Sequence, residues 1–328
     1  MRGYIVRRLL LNLVVVWIVA TLVFLALRVL PGDYAAEQVA LRFFTGVGDG
    51  RSADEALADA RAELGLDKSI PEQYVRYISD LLSGDLGKSF VTRRSTVDEV
   101  GRALPYSLQL GVMTAVIAVL ISLPVGVISA VRPGSLVDHL LRFVAIIGLA
   151  APSFWIATMF TLLVLRFDFW RIDVVGTPGI WAEPLRSLEL FVIPAVAGGL
   201  ASGAILMRYI RSQLLEVLGH DYIRTARSKG LRERTVILRH AVKNALIPAI
   251  TVLGFVILAV VNGSVILEAM FNIPGMGRAI VGAVQSRDFP MVQTLVVAIA
   301  VGVVTINLLI DMCYFYIDPR VSVSGSSA

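Results

Sequence analysis

One cysteine in the whole chain, Cys313, excludes an intrachain disulfide. The three histidines, His139, His220 and His240, are too scattered to give metal-ligand spacing, which argues against a metalloenzyme. Charge is scarce as well: 17% of residues are charged and 56% are hydrophobic. Soluble domains carry about a quarter charged residues. With a mean hydropathy of +0.76, this is the composition of a polytopic membrane protein. No long apolar run has a charged residue near its centre, which weighs against a proton- or ion-coupled carrier, whose coupling sites are intramembrane acids. A phosphate-binding loop is missing too. Gly87, Lys88 and Ser89 have the right ending, but the first glycine of that motif would fall on Leu82, so the stretch reads as a surface turn. No nucleophile with a base is evident, which disfavours an intramembrane enzyme.

What the chain does have is apolar runs long enough to cross a bilayer. Arg2, Arg7 and Arg8 precede the first, Leu9 to Leu27. A cleaved signal peptide would have a shorter apolar region and a small-residue cleavage site, so residues 1–30 read as a retained first span with its N-terminus inside. Five further runs follow: Pro105 to Val131, Phe143 to Leu165, Leu190 to Met207, Asn244 to Leu267 and Phe289 to Ile310. Six spans return the C-terminus, with its polar tail 319–328, to the inside. The net charge of +5 comes from cations gathered at span ends, a footprint of topology rather than of nucleic-acid binding. Between the first two spans, residues 31–104 form an acid-rich outer domain with helix-like stretches at Ala53 to Leu64 and Pro71 to Leu82. The five later spans, residues 105–318, form the core.

Several spans carry helix breakers: Pro124, Gly126, Gly148, Pro152, Pro194, Gly198, Gly199 and Gly263. They line a water-filled conduit or they let helices pack closely; the sequence alone does not choose. Polar Ser202, Asn262, Ser264 and Asn307 are candidates to line such a conduit.

Two connections stand out. Residues 211–243 hold a basic amphipathic loop. His220 to Lys229 suits a short helix, Gly230 sits where a left-handed cap would stop it, and a second helix runs from Arg232 with Val236, Ile237, His240 and Ala241 at helical spacing. Residues 268–288 hold the other connection. Asn272 to Gly277 is turn-rich, and Arg278 to Ser286 suits a short helix with Ile280, Val281 and Val284 on one side. A side chain at Gly275 is expected to disfavour any positive-φ backbone there and to hinder packing of the segment into the mouth of the conduit. The bland alternative is an amphipathic loop lying in the interface.

These residues also carry a family resemblance. DYIRTARSKGL at Asp221 to Leu231, followed by NALIP at Asn244 to Pro248, resembles the EAA loop of ABC-importer permeases. Arg224, Thr225 and Ala226 stand where that family has Glu-Ala-Ala, as in its peptide and nickel branch, so only Ala226 and Gly230 carry over from the core motif. Phe271, Pro274, Gly275 and Gly277 meet the FxxPGxG core of the family's outer re-entrant segment. LPGD at Leu30 to Asp33, LGLDKSIPEQY at Leu64 to Tyr74, GDLGKSF at Gly84 to Phe90 and YIVRRLL at Tyr4 to Leu10 look like the same branch.

The resemblance implies an all-α fold of six transmembrane helices, of the type I ABC importer kind, in a prokaryotic cytoplasmic membrane. Asp221, Tyr222, Arg224, Thr225, Ala226, Arg227, Lys229 and Gly230 would couple to a separate ATPase, while Phe271, Pro274, Gly275 and Gly277 would belong to the pathway or its gate. The implied partners are a second homologous permease, two ATP-binding subunits using ATP and Mg, an extracytoplasmic substrate-binding protein and membrane lipid. No cofactor is expected on this chain and no reaction is expected of it. The implied cargo is a di- or oligopeptide, with nickel and others left open. The alternative is an ion-coupled secondary transporter or channel.

Overall fold

A computed structural model of the chain describes residues 2–29, 67–168 and 177–317, with isolated positions 55, 57, 58, 61 and 170. The helix-like stretch at Ala53 to Leu64 and the tail 319–328 lie largely outside the described residues. What is described is helical: α1 (Arg2–Val29), α2 (Ile70–Ser83), α3 (Thr96–Val131), α4 (Leu136–Ala150), α5 (Ser153–Phe167), α6 (Pro184–Leu218), α7 (Asp221–Ser228), α8 (Glu233–Thr235), α9 (Val242–Met270), α10 (Met276–Gln285) and α11 (Phe289–Ile317). A lone antiparallel bridge, Lys88 to Ser95, is the extended pairing among the described residues.

Four helices among the described residues are long and apolar enough to cross a membrane, at Val6–Val29, Thr96–Val131, Pro184–Leu218 and Phe289–Met312. The run expected as one span at Phe143 to Leu165 is instead a bent pair, α4 and α5, meeting at 106°. Proline explains the break. Pro152 pushes the preceding Ala151 into extended backbone, φ −79° and ψ 128°, and has no N–H to continue the helical ladder. The second and fourth runs also underestimate their helices. α3 starts at Thr96 and passes through Pro105, and α6 extends well beyond Leu190 to Met207 at both ends.

The chain divides into two compact units. The first joins residues 1–102 to 282–301. Here α2 starts on Ser69, whose N–H donates to the Glu72 carboxylate at 3.1 Å, with Pro71 in the first turn. Gly84 ends it in the left-handed conformation, φ +81°. Tyr74 and Tyr77 lie one turn apart and both rings pack on Phe24 of α1 with centroids 5.4 Å away, while the Tyr74 hydroxyl pairs with Thr21 Oγ1 at 2.8 Å. Burial and the neighbouring Tyr74 push the Tyr77 hydroxyl up to about 12.

Gly87, Lys88 and Ser89 are more than a surface turn. Ser89 is buried and its hydroxyl donates to the carboxylate of Asp288, which also accepts from the Phe90 N–H at 3.1 Å. Asp288 therefore ties this loop to the start of α11. A run of small and charged letters gave no hint of a partner about two hundred positions away.

The second unit, residues 103–281 and 302–328, is built on α6, against which α4, α5 and α9 pack. Glycines allow it a close approach to α3. A Cβ on Gly199 would lie 2.7 Å from Ile117 Cγ2 and 3.2 Å from the Thr114 carbonyl, and one on Gly203 would lie 3.2 Å from the Ala118 carbonyl. Gly198 and Gly126 are similarly crowded, by Thr114 and Ile210. For these positions close packing is the structural role. Phe191, Ala195, Leu110, Ala157 and Leu267 fill the adjoining core.

Candidate functional site

The basic loop folds as its sequence suggests, with a different second half. His220 precedes α7 in extended backbone, and the helix closes through Lys229 N–H to the Thr225 carbonyl at 3.1 Å. Gly230 then adopts φ +77° with open space around the position of a Cβ, so backbone conformation and not crowding requires glycine there. After it, α8 runs through a π-helical turn, Val236–Ala241, straight into α9. There is no separate second helix. One hydrogen-bonded rod carries the loop into the span.

α7 has two faces. Ile223 and Ala226 point inward and join Ala130, Leu214, Val217, Val236, Ala241 and Ala245 in one apolar cluster. Asp221, Tyr222, Arg224, Thr225, Arg227, Lys229 and Gly230 are exposed. Ala226, expected to anchor a partner beside Tyr222, is thus spent on the chain's own core. There it is clustered with apolar residues of α3, α6 and the π turn.

Two features of the loop were missed. Arg227 grips Glu233 across the Gly230 turn, Nη2 to Oε1 at 2.7 Å and Nε to Oε2 at 3.2 Å. The hydrogen bonds from Arg227 hold the Glu233 carboxyl below its usual range, and those to Glu233 raise Arg227 in turn, so the clamp is fully charged at neutral pH. Opposite charges six residues apart around a turn glycine were the available signal. In addition, Tyr222 Oη accepts from Asn244 Nδ2 at 3.1 Å, tying α7 to the first turns of α9.

Beneath the loop lies a buried ion pair. Asp138, 0% exposed, accepts from Arg211 Nε and Nη2, both at 2.9 Å, from the Gly134 N–H at 3.0 Å, and from Ser129 Oγ. It joins the end of α3, the tight turn before α4, and α6 one turn before the loop's apolar floor. Arg142 adds a second cation at 3.3 Å.

The segment after α9 forms the other half of the site. The run ending at Leu267 stops one residue short of the most informative side chain. α9 continues to Met270, and Glu268 on it is 0% exposed. Its Oε2 accepts from the Gly277 N–H at 2.7 Å and the Arg278 N–H at 3.3 Å, which are first-turn donors of α10. Ser107 Oγ accepts the Met276 N–H at 2.8 Å beside them.

Gly275 does not have a positive φ; among the described residues of this turn that backbone belongs to Asn272, φ 56°. Gly275 is glycine for space: a Cβ would fall 2.3 Å from Glu268 Oε2 and 2.7 Å from Ser107 Oγ. Gly277 is tighter against backbone, with Val265 Cα at 2.5 Å. Ile273 is buried in the core, with Phe271 packed against it, whereas Val284, expected on an apolar face, is 58% exposed. Pro274 is half-buried between them.

Of the polar conduit candidates, Ser202 and Ser264 come together. They line one cavity of about 240 Å³ with Thr114, Ser153, Gly198 and Ile205. Ser264 sits one helical turn before Glu268 on α9. The side chain of Asn262 lies outside the described residues.

Comparison with known proteins gives the family. The family described as "binding-protein-dependent transport system inner membrane component" matches residues 122–323, and its N-terminal counterpart matches residues 1–111. Among curated relatives, a glutathione transport system permease protein of Pectobacterium atrosepticum is 34% identical over 322 residues, covering 98% of this chain and 99% of that one. A dipeptide transport system permease protein of Alkalihalophilus pseudofirmus is 33% identical over 340 residues, covering 98% and 99%. A probable D,D-dipeptide transport system permease protein of Escherichia coli is 34% identical over 327 residues, covering 94% of each. With these matches running along almost its whole length, the chain belongs to the inner-membrane permease components of binding-protein-dependent ABC importers.

Proposed function

We propose that this chain is one half of the translocation pathway of an ATP-driven importer of di- or oligopeptides, with α7 as the helix that docks on an ATPase subunit. The observation that carries the reading is the two-faced α7. Its apolar residues are held by the chain's own core, while a cationic, hydroxyl-bearing surface stays exposed beside a turn set by the Gly230 backbone and bridged by the Arg227 to Glu233 pair. Such a surface is presented rigidly, as a docking element must be if motion in the partner is to move the spans.

In this reading α9 is a sixth span, both termini and the basic loop face the cytoplasm, and residues 31–104 and 271–288 face outward. The relatives named for glutathione and dipeptides support a peptide cargo. A second homologous permease completes the conduit, two ATPase subunits use ATP and Mg, and a soluble binding protein delivers the peptide. Ser202 and Ser264 line the cavity through which it passes, with Asn262 proposed beside them. The ion-coupled carrier or channel weighed from the sequence is not favoured by relatives that bear permease names.

The test is affinity purification of the tagged chain from its native membrane, followed by reconstitution. Co-purification of a second permease and ATPase, with ATP-dependent uptake of labelled dipeptides in the presence of the binding protein, is the expected result. Purification of the chain alone, with uptake driven by an ion gradient, would overturn it.

A further inference from the structure

Three carboxylates are almost fully buried among the described residues: Asp138, Asp288 and Glu268. Asp138 is matched by Arg211 and Arg142, and Asp288 fastens the loop at Ser89. Glu268 differs from both. It lies in a long apolar helix, and the donors that hold its Oε2 are neutral backbone N–H groups on the segment that follows that helix.

Burying an acid in such a place is costly, the more so as its Oε1 has no hydrogen-bond partner among the described residues, and an apolar side chain would pack there at no such cost. The surroundings are shaped for the acid. Gly275 and Gly277 give up side-chain volume so that the carboxylate can reach the first turn of α10, where the helix dipole favours negative charge, and Ser107 accepts the Met276 N–H beside it. A contact of this make-up is a hydrogen-bonded catch and not an apolar weld: its strength resides in directed bonds, from the Gly277 and Arg278 N–H groups and from the Ser107 and Ser264 hydroxyls, and these can be exchanged for water when the segment moves. Its position matters too. Ser264, which lines the cavity shared with Ser202, is one turn away on the same helix, so displacement of α9 beside the cavity is felt directly at the carboxylate.

We propose that Glu268 is the positioning residue of the outer gate: its carboxylate latches the first turn of α10 to α9, and this latch keeps the Ser202 and Ser264 cavity closed to the outer face until the spans move. The inference rests on the permease reading and assigns one residue to set the closed position of the outer segment. Gly275 and Gly277 are then parts of the catch, and Ser107 steadies it from α3.

The experiment uses the assembled complex in proteoliposomes, with Ser202→Cys in a Cys313→Ser background and a membrane-impermeant maleimide added from the outer side without binding protein. Loss of a charge-assisted hydrogen bond moves a two-state equilibrium by about tenfold or more, so Glu268→Ala is expected to raise the labelling rate by that order. Glu268→Gln keeps an acceptor oxygen for the Gly277 N–H and is expected to restore much of the protection. Gly277→Ala attacks the same contact from the other side and is expected to raise labelling as Glu268→Ala does. It also decides the matter if Glu268→Ala fails to accumulate in the membrane. Unchanged labelling in Gly277→Ala, or a Gln variant as open as the Ala variant, would overturn the latch. Failure of the permease reading looks different: the parent complex would then contain no ATPase, whatever the labelling shows.

Discussion

Gly230→Val isolates the turn on which the docking proposal depends. At φ +77° an L-residue carries a penalty of roughly 1–2 kcal/mol that glycine escapes, and a β-branched side chain carries more. Nothing lies within 4 Å of the Cβ position, so no steric clash adds to this. Opposing the strain is what holds α7 in place. Full burial of Ile223 is worth about 2 kcal/mol, Ala226 adds a small area, and the exposed Arg227 to Glu233 pair contributes little. The strain is therefore comparable with the docking of one short helix and far too small to unfold the long helices around it. The hypothesis is that Gly230→Val stays inserted at normal abundance but presents α7 in the wrong place. Substrate-loaded binding protein should then fail to stimulate ATP hydrolysis in the purified complex, and co-purifying ATPase should fall. Asparagine tolerates the left-handed region, so Gly230→Asn should keep most of the stimulation while Gly230→Val loses it. If Val and Asn behave alike, or if both are silent, backbone conformation at this turn is not what couples the loop.

Four other outcomes follow from the same geometry. Cysteines placed at Ser69 and Ser228 in a Cys313→Ser background are exposed sites and should label from opposite sides of the membrane with an impermeant reagent; labelling from one side would reject the proposed topology. Gly275→Val drives a side chain into Glu268 and Ser107, so ATP-dependent uptake should fall at least tenfold while ATPase subunits still co-purify; unchanged uptake would reduce the segment to an interfacial loop. Asp138→Ala leaves Arg211 without its buried partner; with Arg211 itself 20% exposed, a loss near the low end of about 3–5 kcal/mol is expected, read as a lower midpoint in detergent melting, and an unshifted midpoint would refute it. Gly199→Val overfills the contact of α6 with α3 and should reduce the amount of folded subunit by about 1–3 kcal/mol of stability, in contrast to Gly230→Val; normal abundance and melting would count against the tight seam.

Much of this was legible because membrane helices announce themselves by length and apolarity, and because a glycine after a helical stretch has few roles. The left-handed turn at Gly230 and the start of α2 near Pro71 were read from a few residues each, since both are local, whereas the cap at Ser69 was not. What escaped was set by partners distant in sequence. The bend at Pro152 was named as a break, yet its size depends on how α4 and α5 each find α6. Ser89 looked like a turn residue because Asp288 is nowhere near it in the chain. Glu268 was overlooked for a simpler reason: an apolar run was ended at the first charge, and burial was assumed to end with it. At Gly275 the room is needed and the positive φ is not, a choice the sequence left open because it cannot distinguish a glycine needed for φ from one needed for room.

The distribution of these two kinds of glycine bears on how the chain can move. Gly126, Gly198, Gly199 and Gly203 serve close approach of α3 and α6, with several would-be Cβ contacts at or below 3.2 Å, against backbone as well as side chains. Helices interlocked at that spacing have no room to slide past one another by a turn or to roll, so they shift as one body. On the proposed function, a change of shape is absorbed where the backbone already leaves the helix, and three such places are the Pro152 bend, the Gly230 turn and residues 271–275 before α10. Two of those three places carry a polar tie across them, Arg227 to Glu233 at the loop and Glu268 to Gly277 before α10. Polar ties suit joints because their bonds can be exchanged with water at small net cost, whereas the apolar seam between them would lose packing with every ångström of separation. The tight seam and the two hydrogen-bonded joints therefore divide the work. On the proposed coupling, the seam would carry a displacement of α7 along the helices, and the joints would decide when the far end is free to respond.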